Sequence, residues 1–330
     1  MAQDSIPVLD FEDCSAAGPR QDAFVRALGG ALEDLGFVAI ANHGIDRSLL
    51  SRAYDVAAEL FAQPAEVKRG YEEPHSGRER GYTSFGVEKA LDGAAPDLKE
   101  FWHVGRSLPP GHPVGALPAN RFPPEVPAFG PTFQALYAAM ESFAHRLLDG
   151  VGAWLELPPS YFRDMVRDGN SVLRIIHYPD LGRPAPAGAV RAAQHEDINL
   201  ITVLPASTRP GLQLLTREGE WMPVHTPPDV MICDTGDMMQ LLTGGRLPST
   251  THRVVNPEGG GDGGRLSMPF FVHPHPEHVL TPLVPGTGTP IRAHDFLYER
   301  LQAIGVVAPA HAGASGRDTE ADRPAPTEAL

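Results

Sequence analysis

Two metal-capable side chains, His195 and Asp197, stand one residue apart in AAQHEDINLITVL, directly ahead of an apolar run that reads as a buried strand. In an extended chain, residues i and i+2 point to one face. This imidazole and carboxylate can therefore aim at a common point while Glu196 faces away. A third donor is available in His252, inside STTHRVVNP, whose neighbours predict a strand. Several predicted strands separate Asp197 from His252, and a rolled sheet can return His252 to the first pair. Two imidazoles and one carboxylate on one side of an ion leave coordination positions open. That set suits a non-haem Fe(II) that must also bind substrate and oxygen. Zinc accepts the same donors, so donor types alone leave the metal open.

A second constellation follows in RLSMPFF. Arg265 and Ser267 share a strand face by the same period of two, and a guanidinium fork beside a hydroxyl can hold a carboxylate bidentately. An arginine pointing into a β-lined interior implies an anionic partner, because burying it unpaired is costly. Tyr178, in IIHYPD, offers a further hydroxyl. Arg80, Tyr82, Lys99, Phe101 and His103 are candidates to line a pocket for a small organic substrate, since they come from a loop-rich region ahead of a long helix. HPHPEH, residues 273–278, invites a metal reading, but its prolines prevent a regular helix and it reads as an exposed strand terminus. GGGDGG, residues 259–264, lacks the following Lys-Ser/Thr of a phosphate loop and reads as a flexible turn between the His252 and Arg265 strands.

The elements that must position these residues are legible in outline. SIPVLDF reads as an opening strand. Residues 20–35 have helical apolar spacing stopped by Gly36, and FVAIANHG is a second strand. Asp46 begins a helix running to about Phe61, with Pro64 at its end. Residues 70–130 read as loops with short strands. Among these, DLKEFWHVG alternates, with Lys99, Phe101 and His103 on one side and Glu100 and Trp102 on the other. A long helix is predicted from Pro131 to Leu155. From 171 onward come short β-type runs: SVLRIIHY, INLITVL, GLQLL, WMPVH, VMICDTG, MMQLLTGG, THRVVN and RLSMPFFVH. About eight strands at this spacing predict a sandwich or barrel. AHDFLYERLQAIG reads as a short helix, and residues 308–330 are too poor in apolar side chains to order themselves.

Composition narrows the function classes. The chain has 330 residues, 42% of them hydrophobic, and a formal net charge of −14. Such an acidic chain repels phosphate backbones and anionic membranes, which argues against nucleic-acid or membrane partners. Cys14 and Cys233 are far apart, so neither a disulfide framework nor a thiolate zinc site is signalled. The N-terminus has no apolar targeting core, and no apolar run approaches bilayer-spanning length, so a cytoplasmic location is expected. Nothing in the sequence specifies an oligomeric state.

The order H-x-D, distal His, R-x-S resembles the iron/2-oxoglutarate-dependent dioxygenases of the isopenicillin N synthase-like family. CDTGDMMQLLTGG is similar to that family's Gly-Asp-x-x-Gln-x-x-Thr-Asn-Gly segment, at Gly236, Asp237, Gln240, Thr243 and Gly245. SIPVLDF and GFVAIANHGI resemble its N-terminal region. The resemblance spans about residues 5–280. It implies an α+β fold with a mainly β core: a double-stranded β-helix, or distorted jelly roll, with flanking helices. Residues 1–307 would form a single catalytic unit: 1–130 packing on the β core, 131–170 the long helix, 171–280 the jelly roll, and 281–307 a C-terminal segment. His195, Asp197 and His252 would ligate Fe(II). Arg265 and Ser267 would grip the distal carboxylate of 2-oxoglutarate, with Tyr178 assisting. O2 and 2-oxoglutarate would be consumed, succinate and CO2 released, and a C–H bond of a small metabolite oxidised, hydroxylation being the leading outcome beside desaturation and cyclisation. Two departures stand out. Gly244 replaces the family's usual asparagine, and Ile176 stands where many plant members carry the asparagine of an Asn-Tyr-Tyr-Pro run. The resemblance leaves open an oxidase that uses no 2-oxo acid, as isopenicillin N synthase and the aminocyclopropane-carboxylate oxidase do. The residues also leave open a non-catalytic protein binding a metal and a small acid.

Overall fold

The computed structural model describes residues 5–74, 78–88, 96–109, 111–112, 117–182, 185–227, 229–257 and 263–303. The chain opens with β1 (Val8–Asp10), α1 (Phe11–Cys14), α2 (Pro19–Leu35), β2 (Phe37–Ala41), α3 (Arg47–Phe61) and α4 (Ala65–Arg69). β3 (Gly81–Thr83) and β4 (Glu100–Gly105) precede the long helix α5 (Phe129–Trp154) and α6 (Tyr161–Val166). Then follow β5 (Val172–Tyr178), β6 (Ala192–His195), β7 (Ile201–Pro205), β8 (Leu212–Leu215), β9 (Trp221–Pro223) and β10 (Met231–Thr235). Helix α7 (Asp237–Leu242) leads to β11 (His252–Val254), β12 (Arg265–Ser267) and β13 (Phe270–Val272). β14 (Val279–Leu280), β15 (Ile291–Arg292) and α8 (Ala293–Ala303) complete the order.

Two facing sheets roll into a double-stranded β-helix. The larger has the order β1-β2-β10-β7-β13-β5-β4-β3, with β12 also paired to β5. The smaller has the order β6-β11-β8-β9. Alternation along each strand gives the large sheet two different faces. Its outer face, with Trp102, Leu173, Ile175, Val203, Met231 and Phe270, packs in one core with Phe133, Leu136 and Met140 of α5. Its inner face, with Phe37, Phe101, Ile176, Tyr178, Leu204 and Ile232, packs against Leu212, Leu214, Met222 and Val254 of the small sheet. Each such side chain, fully buried, stabilises the fold by about 1.5–3 kcal/mol before entropic costs.

Three expectations need correction. MMQLLTGG is not a strand but largely the helix α7 and its C-terminal turn. Met238, Met239 and Leu242 are buried at helical spacing, and periodicity alone does not separate so short an apolar run from a strand. RLSMPFFVH is two strands, not one. Pro269 has no N–H for the ladder, and its carbonyl instead accepts from Arg174 N at 2.9 Å. HPHPEH is not an exposed terminus: of its six residues only Glu277 is exposed, and His273 N donates to Ser171 Oγ at 3.1 Å. In GGGDGG only Gly263 and Gly264 are described, both at positive φ, and the 308–330 tail lies outside the described residues.

Gly36 closes α2 in the left-handed region (φ 67°), with its N–H on Leu32 O. A Cβ there would lie 2.5 Å from Thr250 Oγ1 and 2.7 Å from Pro248 O, in the segment that leads into β11. Gly30, inside the same helix, has open space around it. Gly36→Ala is therefore expected to cost at least about 1 kcal/mol in urea unfolding, and Gly30→Ala to gain about 0.5–1 kcal/mol. Equal effects of the two would contradict the assignment of strain to Gly36.

Candidate active site

His195 ends β6 and His252 begins β11, and the two are direct partners in the antiparallel ladder between these strands. Their rings lie 4.4 Å apart between centroids. Asp197 is not on the strand, as the period-two reading had it, but in the loop from β6 to β7. Fixed contacts replace the strand's alternation. Asp237 N, at the start of α7, donates to Asp197 O at 2.7 Å. Thr202 Oγ1 donates to Asp197 Oδ2 and accepts from Asn199 Nδ2 at 2.9 Å. Gly236 allows this close approach, since a Cβ there would sit 2.7 Å from Asp197 O.

These contacts leave Asp197 Oδ1 facing both imidazoles, 3.8 Å from His195 Nε2 and 3.9 Å from His252 Nε2. One donor atom from each of the three residues lies within 4.8 Å of the others. Each ring directs Nδ1–H to a backbone carbonyl: His195 to Ala193 O at 2.8 Å and His252 to Thr250 O at 3.1 Å. That fixes the tautomer with Nε2 unprotonated and free to bind a metal. The His195 side chain is 39% exposed, which leaves the cluster a mouth. The ring is still deep in the fold: burial first, and then the His252 imidazole, pull its pKa down to about 4, so it is a neutral donor near neutral pH.

Arg265 and Ser267 project inward from β12, opposite Tyr178 and Ile176 of β5. The Arg265 guanidinium is 2% exposed and lies over the Tyr178 ring at 5.1 Å. Its Nε–H donates to Arg209 O at 3.0 Å and Nη2–H to Ser207 Oγ at 2.8 Å. Nη1 is buried with no partner, and among the described residues no carboxylate pairs with this cation. A buried, uncompensated cation with an orphan donor is a receptor for an anion. Three convergent metal donors on the small sheet and its adjoining loop, and this receptor on the facing side of the large sheet, fit a metal with an anionic co-substrate.

Comparison with known proteins gives the same reading. Residues 169–274 match the 2OG-Fe(II) oxygenase superfamily, and residues 6–128 match the non-haem dioxygenase in morphine synthesis N-terminal family. The chain belongs to the 2OG-Fe(II) oxygenase superfamily. A 2-oxoglutarate-Fe(II) type oxidoreductase of Emericella nidulans is 30% identical over 290 residues, covering 84% of this chain and 82% of its own. A crystallised 2OG-Fe(II) oxygenase family protein of Caulobacter crescentus is 36% identical with a TM-score of 0.81, covering 92% of this chain and all of that one (100%). A full-length Neurospora crassa protein solved in complex with alpha-KG is 25% identical with a TM-score of 0.80, covering 92% of this chain and 98% of that one. The chain is thus an Fe(II)- and 2-oxoglutarate-dependent oxygenase. No helix among its described residues is long and apolar enough to cross a membrane.

The five residues considered for the oxygenase's substrate pocket separate in the fold. Phe101 pairs with Ile176 and His103 with Arg174, so both lie on the inner face with Tyr178 and Arg265. Lys99 precedes them and bonds Glu88 Oε2 at 2.7 Å and Asp97 Oδ2 at 2.9 Å. Tyr82 is opposite Trp102, on the outer face, where its hydroxyl donates to Glu100. Arg80 is fully buried, its guanidinium in the space that a side chain at Gly105 would fill, and bonds Glu79 O at 2.7 Å and Asn170 Oδ1 at 2.8 Å. Tyr82 thus serves packing, excluded by the period of two once the register is known, whereas the Arg80 head lies on the inner-face side of Gly105, two positions from His103, with its buried Nε unpartnered among the described residues.

Other residues of the site went unread in the sequence. Thr202 stands in an otherwise apolar strand and Arg174 inside the apolar stretch at 172–176, and a polar residue inside such a run is the signal that could have found them. Tyr54, on α3, donates to Ala206 O at 2.9 Å beside Ser207 and carries no local signal. Thr202→Val removes the bond to Asp197 Oδ2 with little change in volume. Mn(II) titration is expected to show affinity about 10–100-fold weaker than wild type. Unchanged affinity would mean that Thr202 does not set the carboxylate.

Proposed function

We propose that this oxygenase hydroxylates a C–H bond of a small organic molecule, with His195, Asp197 and His252 holding Fe(II). In this reading, Arg265 receives the distal carboxylate of 2-oxoglutarate, helped by Ser267 and the Tyr178 phenol. The observation that carries it is the orphaned Arg265 Nη1 donor, buried on the face of the large sheet that looks toward the small sheet and its converging metal donors. When bound, Fe(II) and 2-oxoglutarate supply the oxidation, with O2 consumed and succinate and CO2 released. The chain's own residues bind, orient and exclude water. Three protein donors, not four, leave room for small ligands on the metal. Phe37, against the His252 ring at 5.6 Å, and Leu214, Ile176 and Ile232 of the inner core keep the surroundings apolar. A dry wall of this kind limits wasteful side reactions.

Residues 1–307 act as one catalytic unit in this reading. β1 and β2 hydrogen-bond into the same sheet as β10 and β7, and Tyr54 of α3 braces the segment that holds Arg265.

The test is anaerobic reconstitution with Fe(II) and 2-oxoglutarate, followed by a small-molecule screen for O2-dependent succinate release. A visible charge-transfer band and substrate-stimulated succinate are expected. A band-free protein that releases no succinate contradicts the assignment. Arg265→Met removes a charge-assisted contact of about 1.5–3 kcal/mol. It should raise the KM for 2-oxoglutarate about 10–150-fold; an unchanged KM would place the co-substrate carboxylate elsewhere.

A further inference from the structure

The inner face carries a second polar cluster that the co-substrate reading does not use. Arg174, on β5, stands in register with His103 of β4. Its Nε–H donates to His103 Nε2 at 2.7 Å, and His103 Nδ1–H donates to Arg78 O at 2.9 Å. Its Nη1–H donates to Glu88 Oε2 at 3.2 Å, the same oxygen that Lys99 Nζ reaches at 2.7 Å. Asp97 takes the other Lys99 contact and accepts from Ala193 N at 3.0 Å, which ties the cluster to β6 and so to His195. Burial first, and then Arg174, hold His103 well below its usual range, so it is a neutral acceptor for Arg174.

This is an unusual amount of fixing for one guanidinium. Arg174 also lies over Phe101 at 4.3 Å and near Phe271 at 5.3 Å. Its faces are shielded by rings, which leaves the edge as its recognition surface. Among the described residues Nη2 has no hydrogen-bond partner, and the side chain is 20% exposed, so the edge is reachable by a small molecule. The metal donors are close by in the fold. Phe271 pairs with Thr202, whose hydroxyl holds Asp197, and Asp97, paired with Lys99, is bonded to Ala193 two residues before His195. Arg265 is four positions further along the same face, opposite Tyr178. The large sheet's inner face therefore carries two separate guanidinium edges. One suits the co-substrate and leaves the other for the molecule to be oxidised. The charges of Arg174 and Lys99 are balanced by Glu88 and Asp97. The cluster therefore offers directed N–H donors, with no net charge, and a planar oxygen acceptor complements it.

We propose that Arg174, held by His103 and Glu88 and assisted by Lys99, is the specificity-determining residue for the primary substrate and binds it through a carboxylate or carboxamide oxygen. This rests on the functional reading above. The test uses the Fe(II)–2-oxoglutarate protein without oxygen and three matched probes: cyclohexanecarboxylate, cyclohexanecarboxamide and methylcyclohexane. Binding is read from perturbation of the charge-transfer band and from thermal shift. Wild type is expected to bind at least one of the two acceptor-bearing probes 10-fold or more tighter than methylcyclohexane, and the preferred one distinguishes carboxylate from amide. Arg174→Met is expected to erase the discrimination. Arg174→Lys, which keeps the charge but loses the fork, is expected to keep a partial preference; it is the second variant should Arg174→Met not fold. Equal binding of all three probes by wild type, failure of both acceptor-bearing probes to bind, or full discrimination in Arg174→Met overturns the proposal while leaving the functional reading intact. A wild type that forms no band overturns the functional reading and this proposal with it.

Discussion

The site depends on the antiparallel pairing of His195 with His252. Backbone hydrogen bonds between β6 and β11 hold two imidazoles opposite one another with no side-chain contact needed to bring them together. A slip of one residue would turn either histidine to the other face of the small sheet. The β6–β11 ladder shifts register between His252 and Val254, and on the other side His252 is paired with the buried inner-face residue Leu214 of β8. The carboxylate comes by another route. Asp197 sits in a loop where alternation has no force, so its position is set by bonds from Asp237 N and Thr202 Oγ1. Two ligands fixed by a ladder and one by a tethered loop give a rigid half-cap with an open side.

Charge organises the rest of the inner face. The chain as a whole is strongly acidic, at −14, yet Lys99, Arg191 and Arg265 are each buried near the site. Arg265 lacks a carboxylate partner, and burial, its largest influence, lowers its pKa. A bound anion would relieve that cost. Lys99 is different: burial opposes its charge, but Glu88 and Asp97 more than offset this and keep it protonated. The two cations therefore play different parts, one waiting for an anion and the other already paired.

Much of this was legible in the sequence, for identifiable reasons. Strands bounded by Gly and Pro, the Gly36 stop and the Asp46 cap, which accepts from Ser48 N at 2.7 Å, are local signals. They placed α2, α3, α5 and most of the β core. His195, Asp197 and His252, and Arg265 with Ser267, were found by type and spacing. What spacing could not give was register. Tyr82 and Phe101 read alike as pocket candidates until the pairing of β3 with β4 placed them on opposite faces. Arg174 and Thr202 matter through partners 71 and 5 residues away, and the longer of these links is invisible to any local window. α7 was misread because two apolar pairs in a short run fit either period.

The most direct test of the central claim is anomalous diffraction at the iron edge from crystals grown without oxygen in Fe(II) and 2-oxoglutarate. The account predicts one iron peak per chain within bonding distance of His195 Nε2, Asp197 Oδ1 and His252 Nε2, with the co-substrate's far carboxylate on the Arg265 edge. Iron bound at other residues, or a co-substrate carboxylate away from Arg265, would contradict it.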